Sequence, residues 1–268
     1  MLLGLSLGQM SEPLSTASVT TILGVPISRL GFEDTIRLCE ERVKKNAGGF
    51  VCFTNVHTVT ESTHNADLRK SLGRAFLCAP DGLPLVWFSK LKMKKISERV
   101  CGPDFTPAFL TRFPNFHHGF IGGQPGQAKN IIARFALDGV SVDTPVRPFS
   151  RENAIDDWNQ FLARFRAERP DSQFPDVVWI GLGAPKQELW MNTISPLAPS
   201  TLFFGVGAAF DFLTEGKTRA PRWMQKSGTE WIYRFAQEPG RLWKRYLIGN
   251  WTFLKLGMRE LFTDAFKK

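Results

Sequence analysis

DVVWIGLGAPKQE, residues 176–188, is the stretch on which the fold turns. Val177 to Ile180 are uninterrupted apolar residues, a Gly181-Leu182-Gly183 turn follows, and Pro185 stands where a helix would open. Proline suits a first helical turn, because no N–H is needed there. A strand that is apolar on both faces has no solvent side and must be covered above and below, as parallel strands are. The same design recurs in GFVCFTNV (49–56), AFLCAPDG (75–82), HHGFIGGQPGQ (117–127) and TLFFGVGAAFD (201–211). Helices are expected from about His57 to Leu72, from Pro125 to about Leu137, and from Ser150 to Glu168. In the last of these, Ile155, Trp158, Phe161, Leu162 and Phe165 share one side. A weaker strand is expected near Thr144–Pro148. This alternation predicts an α/β protein with a Rossmann-like, doubly wound, mainly parallel sheet.

After Asp211 the strand-like runs stop, and Pro221, Gly228, Pro239-Gly240 and Gly249 break the chain into short helical pieces. Residues 216–268 carry twelve basic and four acidic residues, so nearly all of the formal net charge of +9 lies there. Trp223, Trp231, Trp243 and Trp251, with Tyr233 and Tyr246, interleave with those charges. Basic residues among amphipathic aromatics suit an anionic membrane surface or a nucleotide diphosphate. The expected organisation is a flexible leader over 1–19, a catalytic domain over 20–215 and a helical, basic, membrane-associating appendage over 216–268. No run approaches the eighteen apolar residues that a spanning helix needs, and MLLGLSLG at the N-terminus lacks the basic start of a signal peptide. Cys39, Cys52, Cys78 and Cys101 have no metal-ligand spacing and read as free thiols in a reducing cytoplasm.

Ligands of open parallel sheets sit outside the carboxyl ends of the strands. Thr54-Asn55, Asp81-Gly82, Gly122-Gly123, Gly181 to Gln187 and Gly205 to Asp211 all fall there. The paired glycines Gly122-Gly123 and Gly181-x-Gly183 let backbone N–H groups approach an anion at a helix start. They read equally as tight turns. Neither forms G-x-G-x-x-G with a downstream acid, so a dinucleotide fingerprint is absent. By position alone Asp81 suits either a general base or, more commonly, a helix N-cap. Asp104 suits a cap for a helix starting near Phe105, and Arg99 suits a carboxylate or phosphate partner. No H-E-x-x-H, P-loop or G-x-S-x-G occurs, and no protein-built metal site or cofactor is expected.

Taken together, FTNVHTV (53–59), APDGLPLVW (79–87), ERVCGPDF (98–105), GFIGGQPG (119–126), WIGLGAPKQELWM (179–191) and the segment 203–250 resemble the WecG/TagA/CpsF family of glycosyltransferases (family 26, the GT-E architecture). The likeness spans about residues 20 to 250 in the family's order. It is weak from Asp138 to Asp176, where nothing functional is carried over. The resemblance implies a metal-independent, inverting transfer of a sugar from a UDP-sugar to a polyprenyl-diphosphate-linked sugar, at the cytoplasmic face of the membrane. It makes Asp81 the base, places Thr54, Asn55 and Arg99 in the active site, and adds Gln187, with Lys186 and Glu188 in the same motif and Asp211 in the next. It also implies that appendage arginines close over the donor diphosphate. The candidates are Arg219 (the foremost), Arg222 and Arg234.

A nucleic-acid-binding α/β protein is the alternative that charge and aromatics permit. The charge sits on one terminal segment and no nucleic-acid motif accompanies it, so no nucleic-acid partner is expected. A sugar epimerase would bring the dinucleotide fingerprint and a Tyr-x-x-x-Lys pair, and both are lacking. The oligomeric state stays open, a homo-oligomer included.

Overall fold

A computed structural model describes residues 18–93, 95–144, 147–214, 219–243 and 247–265. Most of the expected leader lies outside the described residues, as do Lys217, Lys244, Arg245, Tyr246, Lys267 and Lys268 of the appendage.

The described chain opens with a hairpin, β1 (Val19–Ile22) and β2 (Val25–Ser28), antiparallel across Leu23-Gly24. Both turn residues have positive φ, 47° and 83°, the form that matches strand twist in a two-residue loop. Helix α1 (Phe32–Lys44) leads to β3 (Gly49–Thr54), then α2 (Val56–Glu61), α3 (Ala66–Arg74), β4 (Leu77–Pro80), α4 (Leu83–Leu91), α5 (Gly102–Arg112) and β5 (His118–Gly122). Next come α6 (Gln127–Phe135), β6 (Gly139–Val142), α7 (Arg151–Glu168), β7 (Val177–Gly181), α8 (Lys186–Ile194), β8 (Leu202–Gly205) and α9 (Ala209–Leu213). The helices α10 (Arg222–Ser227), α11 (Glu230–Gln237), α12 (Pro239–Trp243) and α13 (Gly249–Ala265) complete the described chain.

Strands β3 to β8 form one parallel sheet in the order β4-β3-β8-β7-β5-β6. β7 shows why its sequence is apolar throughout. Val178 and Ile180 enter one core, with Phe161, Trp190 and Phe203, while Val177 and Trp179 enter the other, with Phe105, Phe109, Phe120 and Phe204. Strand side chains alternate between faces, so two covered faces require two apolar sets.

Three expectations are corrected. The helix expected over 57–72 is two helices. Asn65 Oδ1 accepts from the Leu68 N–H at 3.0 Å and caps α3, while Ser62 and Thr63 hydroxyls bond back to Val59 and Thr60 carbonyls. Such local bonds compete with a continuing helix. The weak strand lies at Gly139–Val142 and not at Thr144–Pro148; of the latter, 145 and 146 fall outside the described residues and the rest is not strand. Proline donates nothing to a ladder, and β6 is an edge with one partner. The third concerns Asp104, which lies inside the first turn of α5, whose N-cap position is Cys101.

The appendage helices pack on the sheet domain. Phe253 of α13 is buried against Phe88 of α4, with ring centroids 5.5 Å apart. Lys92 Nζ meets Glu260 at 2.5 Å and Asp264 at 2.9 Å, and Glu260 also accepts from the Leu23 N–H of the hairpin at 2.8 Å. No described helix is long and apolar enough to cross a membrane.

Candidate active site

A crevice of about 430 Å³ runs along the carboxyl ends of the sheet. Asn55 enters it from the end of β3, Asp81 from β4, Gly122 and Gly123 from β5, Thr144 and Arg147 from beyond β6, Gly181 to Gln187 from β7, and Gly205 to Phe212 from β8. Arg234 of α11 reaches it from the appendage. Two of the glycines are required by shape. A Cβ on Gly181 would come within 2.7 Å of Phe210, and Gly183 turns at φ +75°, where L side chains are strained.

Asp81 follows β4, and its N–H donates to the Thr54 carbonyl at 2.7 Å. The N-cap position of α4 is Gly82, so Asp81 does not occupy the cap. Asn55 caps α2, its Oδ1 accepting from the Thr58 N–H (3.2 Å) and hydroxyl (3.3 Å). Thr54 is fully buried, with its hydroxyl 3.4 Å from the Cys52 carbonyl, and lines neither this crevice nor its neighbour. Its contact with Asp81 is through the backbone.

Gln187, in the first turn of α8, is buried; its Nε2 donates to the Gly205 carbonyl and to Glu188 Oε1, both at 3.0 Å. That fixes the amide, and Oε1 is left without a partner on the crevice side. Glu188 is buried beside it and does not line the crevice. Lys186 lines it and donates to the Arg147 carbonyl at 3.1 Å. Asp211 lines it and accepts from Gln127 Nε2 at 3.1 Å. Arg147 Nη2 donates to Asp157 at 2.6 Å and to the Asn153 carbonyl at 3.1 Å, while its Nε is buried without a partner, as is Thr144 Oγ1. Buried polar groups are normally paired. Three lie unpaired on residues that line this one crevice.

Arg147 and Thr144 escaped the sequence reading, which placed a strand over them. A cation just beyond the carboxyl end of β6 was the available signal, and it needed the strand to end six residues earlier, at Val142.

A second pocket of about 150 Å³ adjoins the crevice. Asn55, Asp81, Pro103 and Arg234 line both. The pocket's wall is an ion-pair clasp between body and appendage. Arg99 Nη1 donates to Glu230 Oε2 at 2.9 Å, and Arg219 grips both carboxylate oxygens of Asp104, one contact at 3.0 Å. Burial pulls the Asp104 carboxyl upward, but bonds from Arg219 and Cys101 outweigh it and hold Asp104 below its ordinary range. Burial, with Asp81 and Asp104 adding to it, pushes the Cys101 thiol well up, so it stays protonated. Of the three appendage arginines, Arg219 lies in this second pocket, Arg234 borders both cavities, and Arg222 is exposed and lines neither.

The profile of the WecG/TagA/CpsF family of glycosyl transferases matches residues 20–266. The chain is 27% identical over 231 residues to the N-acetylglucosaminyldiphosphoundecaprenol N-acetyl-beta-D-mannosaminyltransferase of Bacillus spizizenii, covering 83% of this chain and 86% of that one. It is 24% identical over 229 residues to the protein of the same description from Bacillus subtilis, covering 85% and 86%.

Proposed function

The chain belongs to the WecG/TagA/CpsF glycosyl transferase family, and on that premise we propose that it moves a hexosyl or N-acetylhexosaminyl group from a UDP-sugar to a polyprenyl-diphosphate-linked sugar, with inversion and without a catalytic metal. The two Bacillus relatives are described as acting on such a lipid-linked N-acetylglucosamine. The observation that carries the reading is that Asp81 borders both cavities. A base for an inverting displacement has to stand beside the incoming hydroxyl, within hydrogen-bond reach, where acceptor and donor meet.

The donor lies along the crevice. From β4 to β6 there are five strand spacings, roughly 24 Å in all, ample for an extended nucleotide sugar. The sugar's anomeric carbon faces Asp81 at the β4 end. The diphosphate crosses the glycine turns and the N-terminus of α8, where Lys186 and backbone N–H groups favour anions. The nucleoside reaches toward Thr144 and Arg147. Asp81 takes the acceptor hydroxyl's proton, the oxygen bonds to the anomeric carbon from the face opposite the phosphate, and the carbon–phosphate-oxygen bond breaks to release UDP. Arg234 and Lys186 stabilise the charge that UDP gains. Thr54, buried behind the site, positions Asp81 through the β3–β4 ladder, and Gln187 Oε1 accepts from the donor.

The acceptor's lipid calls for a membrane surface, and the exposed apolar side chains supply a face for one. Trp223, Trp251, Leu254 and Phe262 of the appendage are exposed, as are Trp87, Leu91 and Met93 at α4. The enzyme sits peripherally on the inner face of the membrane, in assembly of a cell-surface polysaccharide. A panel of UDP-sugars tests the whole reading. UDP release that depends on a GlcNAc-diphospho-lipid acceptor is expected for at least one donor, and release from none, with acceptor present, would overturn it.

A further inference from the structure

The second pocket is built unlike the crevice. Its wall draws on the body (Arg99, Asp81) and on the appendage (Arg219, Glu230, Trp231, Arg234). Two of its three arginines are already paired with carboxylates. Arg99 pairs with Glu230, and Arg219 pairs with Asp104 while its Nε lies 3.6 Å from Glu230 Oε1. A diphosphate would have to pull a guanidinium out of a two-pronged ion pair to be held here. A sugar's hydroxyls need not, because each carboxylate oxygen keeps a further lone pair and guanidinium N–H groups remain to donate; Arg219 Nε is buried with no hydrogen-bond partner. Trp231 adds an aromatic wall, against which the C–H face of a pyranose packs. At about 150 Å³ the pocket is well under the ~300 Å³ at which sites for drug-sized ligands begin, a scale for one sugar ring and not for a nucleotide. The rim at Asn250 adjoins Trp251, which is 68% exposed. A lipid tail leaving by that rim therefore meets the apolar face of α13.

We infer that this pocket is the seat of the acceptor's sugar ring, a neutral pyranose, and that Glu230 and Trp231 determine how well it is held. The inference rests on the transferase reading above and refines it. Glu230 accepts from ring hydroxyls while fixing Arg99, Trp231 covers the ring, and the reacting hydroxyl points through the shared wall to Asp81. Asp104 acts indirectly, as a positioning residue that keeps Arg219 in the wall.

The test uses the full-length chain and a soluble short-chain alkyl-diphospho-N-acetylglucosamine, so that membrane attachment does not enter. Glu230→Gln and Trp231→Ala should each raise the KM for this acceptor about ten- to a hundredfold, the range of one lost charged hydrogen bond or a lost ring contact. The Kd for UDP, measured by calorimetry, should stay within about twofold, and Trp231→Phe should recover most of the loss. An unchanged acceptor KM, or a UDP Kd that rises in step with it, would overturn the assignment. If the wild-type chain releases UDP from no donor, the transferase reading fails. The pocket is then judged by titrating the same acceptor probe into UDP-saturated protein. Binding that Glu230→Gln weakens about tenfold or more upholds the seat, and its absence in the wild type overturns it.

Discussion

The two cavities that meet at Asp81 are made of different material. The crevice is shaped by backbone as much as by side chains, with glycine turns leaving β5, β7 and β8 and the N-terminus of α8 among its walls. The pocket is walled largely by side chains, among them three members of a clasp, Arg99, Arg219 and Glu230, whose fourth member, Asp104, holds Arg219. Backbone turns are set by the sheet and stand ready before any ligand arrives. A clasp exists only while the appendage is docked. The comparison teaches that crevice and pocket fail for different reasons, and the sharpest experiments separate them.

Asp81 belongs to both cavities, and its loss is expected to have the largest effect. Asp81→Asn keeps the shape and the backbone bond to Thr54 but cannot take a proton. Turnover should fall about a thousandfold or more, at the strong end of the ~10²–10⁴ range for general bases, with UDP binding within about threefold. Single-turnover transfer and calorimetry read the two halves. Near wild-type transfer would remove Asp81 from the role.

Next in size is the anchor that holds the pocket together from a distance. Lys92 is nearly buried between Glu260 and Asp264. Lys92→Met leaves Glu260 facing the hairpin with its cation gone. Breaking one side of such a pair costs about 3–5 kcal/mol when buried. The loss should appear as protease sensitivity between residues 215 and 265 and a weaker acceptor KM, while UDP binding in the crevice persists. Loss of both sites together would show that body and appendage unfold as one unit, and the contrast between the cavities would collapse.

How far each cavity was legible follows from the same difference. Val177 to Ile180 and Gly181-x-Gly183 announce a buried strand and its turn within seven residues, because sheet burial and turn geometry are local. The clasp spans 131 positions between Arg99 and Glu230, and nothing local marks Glu230 as the partner of Arg99. The hairpin at Val19–Ser28 went unread for a related reason. Its turn is Leu-Gly, without the Asn-Gly or Asp-Gly that signals such loops. Asp104 was expected as a helix cap because caps are local and ion pairs are not.

Acid separates the two regions by a smaller margin. At the start of β5, His118 Nε2 is 2.8 Å from the Phe113 carbonyl, and Nδ1 accepts from Trp179 Nε1 at 3.1 Å, so the buried ring is held neutral as the Nε2–H tautomer. Burial lowers its pKa to about 4. The unfolded chain then binds a proton that the folded chain refuses. Stability is full above about pH 6.5, falls as the pH drops toward 4, and has lost about 3 kcal/mol below both values. The clasp behaves otherwise. Asp104 is held below its ordinary 3.8, so its contribution is intact above that value and is lost only as the pH falls through the lower folded one. Urea unfolding at about pH 7 and about pH 4.5 should show the loss, and His118→Gln should flatten it. A clasp that opens first, seen as acceptor affinity falling before stability does, would reverse the order.

The smallest effect is expected at Arg222. It lines neither cavity and stands exposed beside Trp223, which is 66% exposed. A cation in that setting contributes by its nearness to anionic headgroups, about 1 kcal/mol for one residue at low salt. Arg222→Ala should lower binding to vesicles containing anionic lipid about fivefold, and the gap should close as salt rises and screening shortens. Transfer to the soluble acceptor should not change. If Arg222→Ala instead weakens UDP binding, the arginine swings into the crevice when the donor arrives. The line drawn between the crevice of the sheet and the appendage-walled pocket would then have to move.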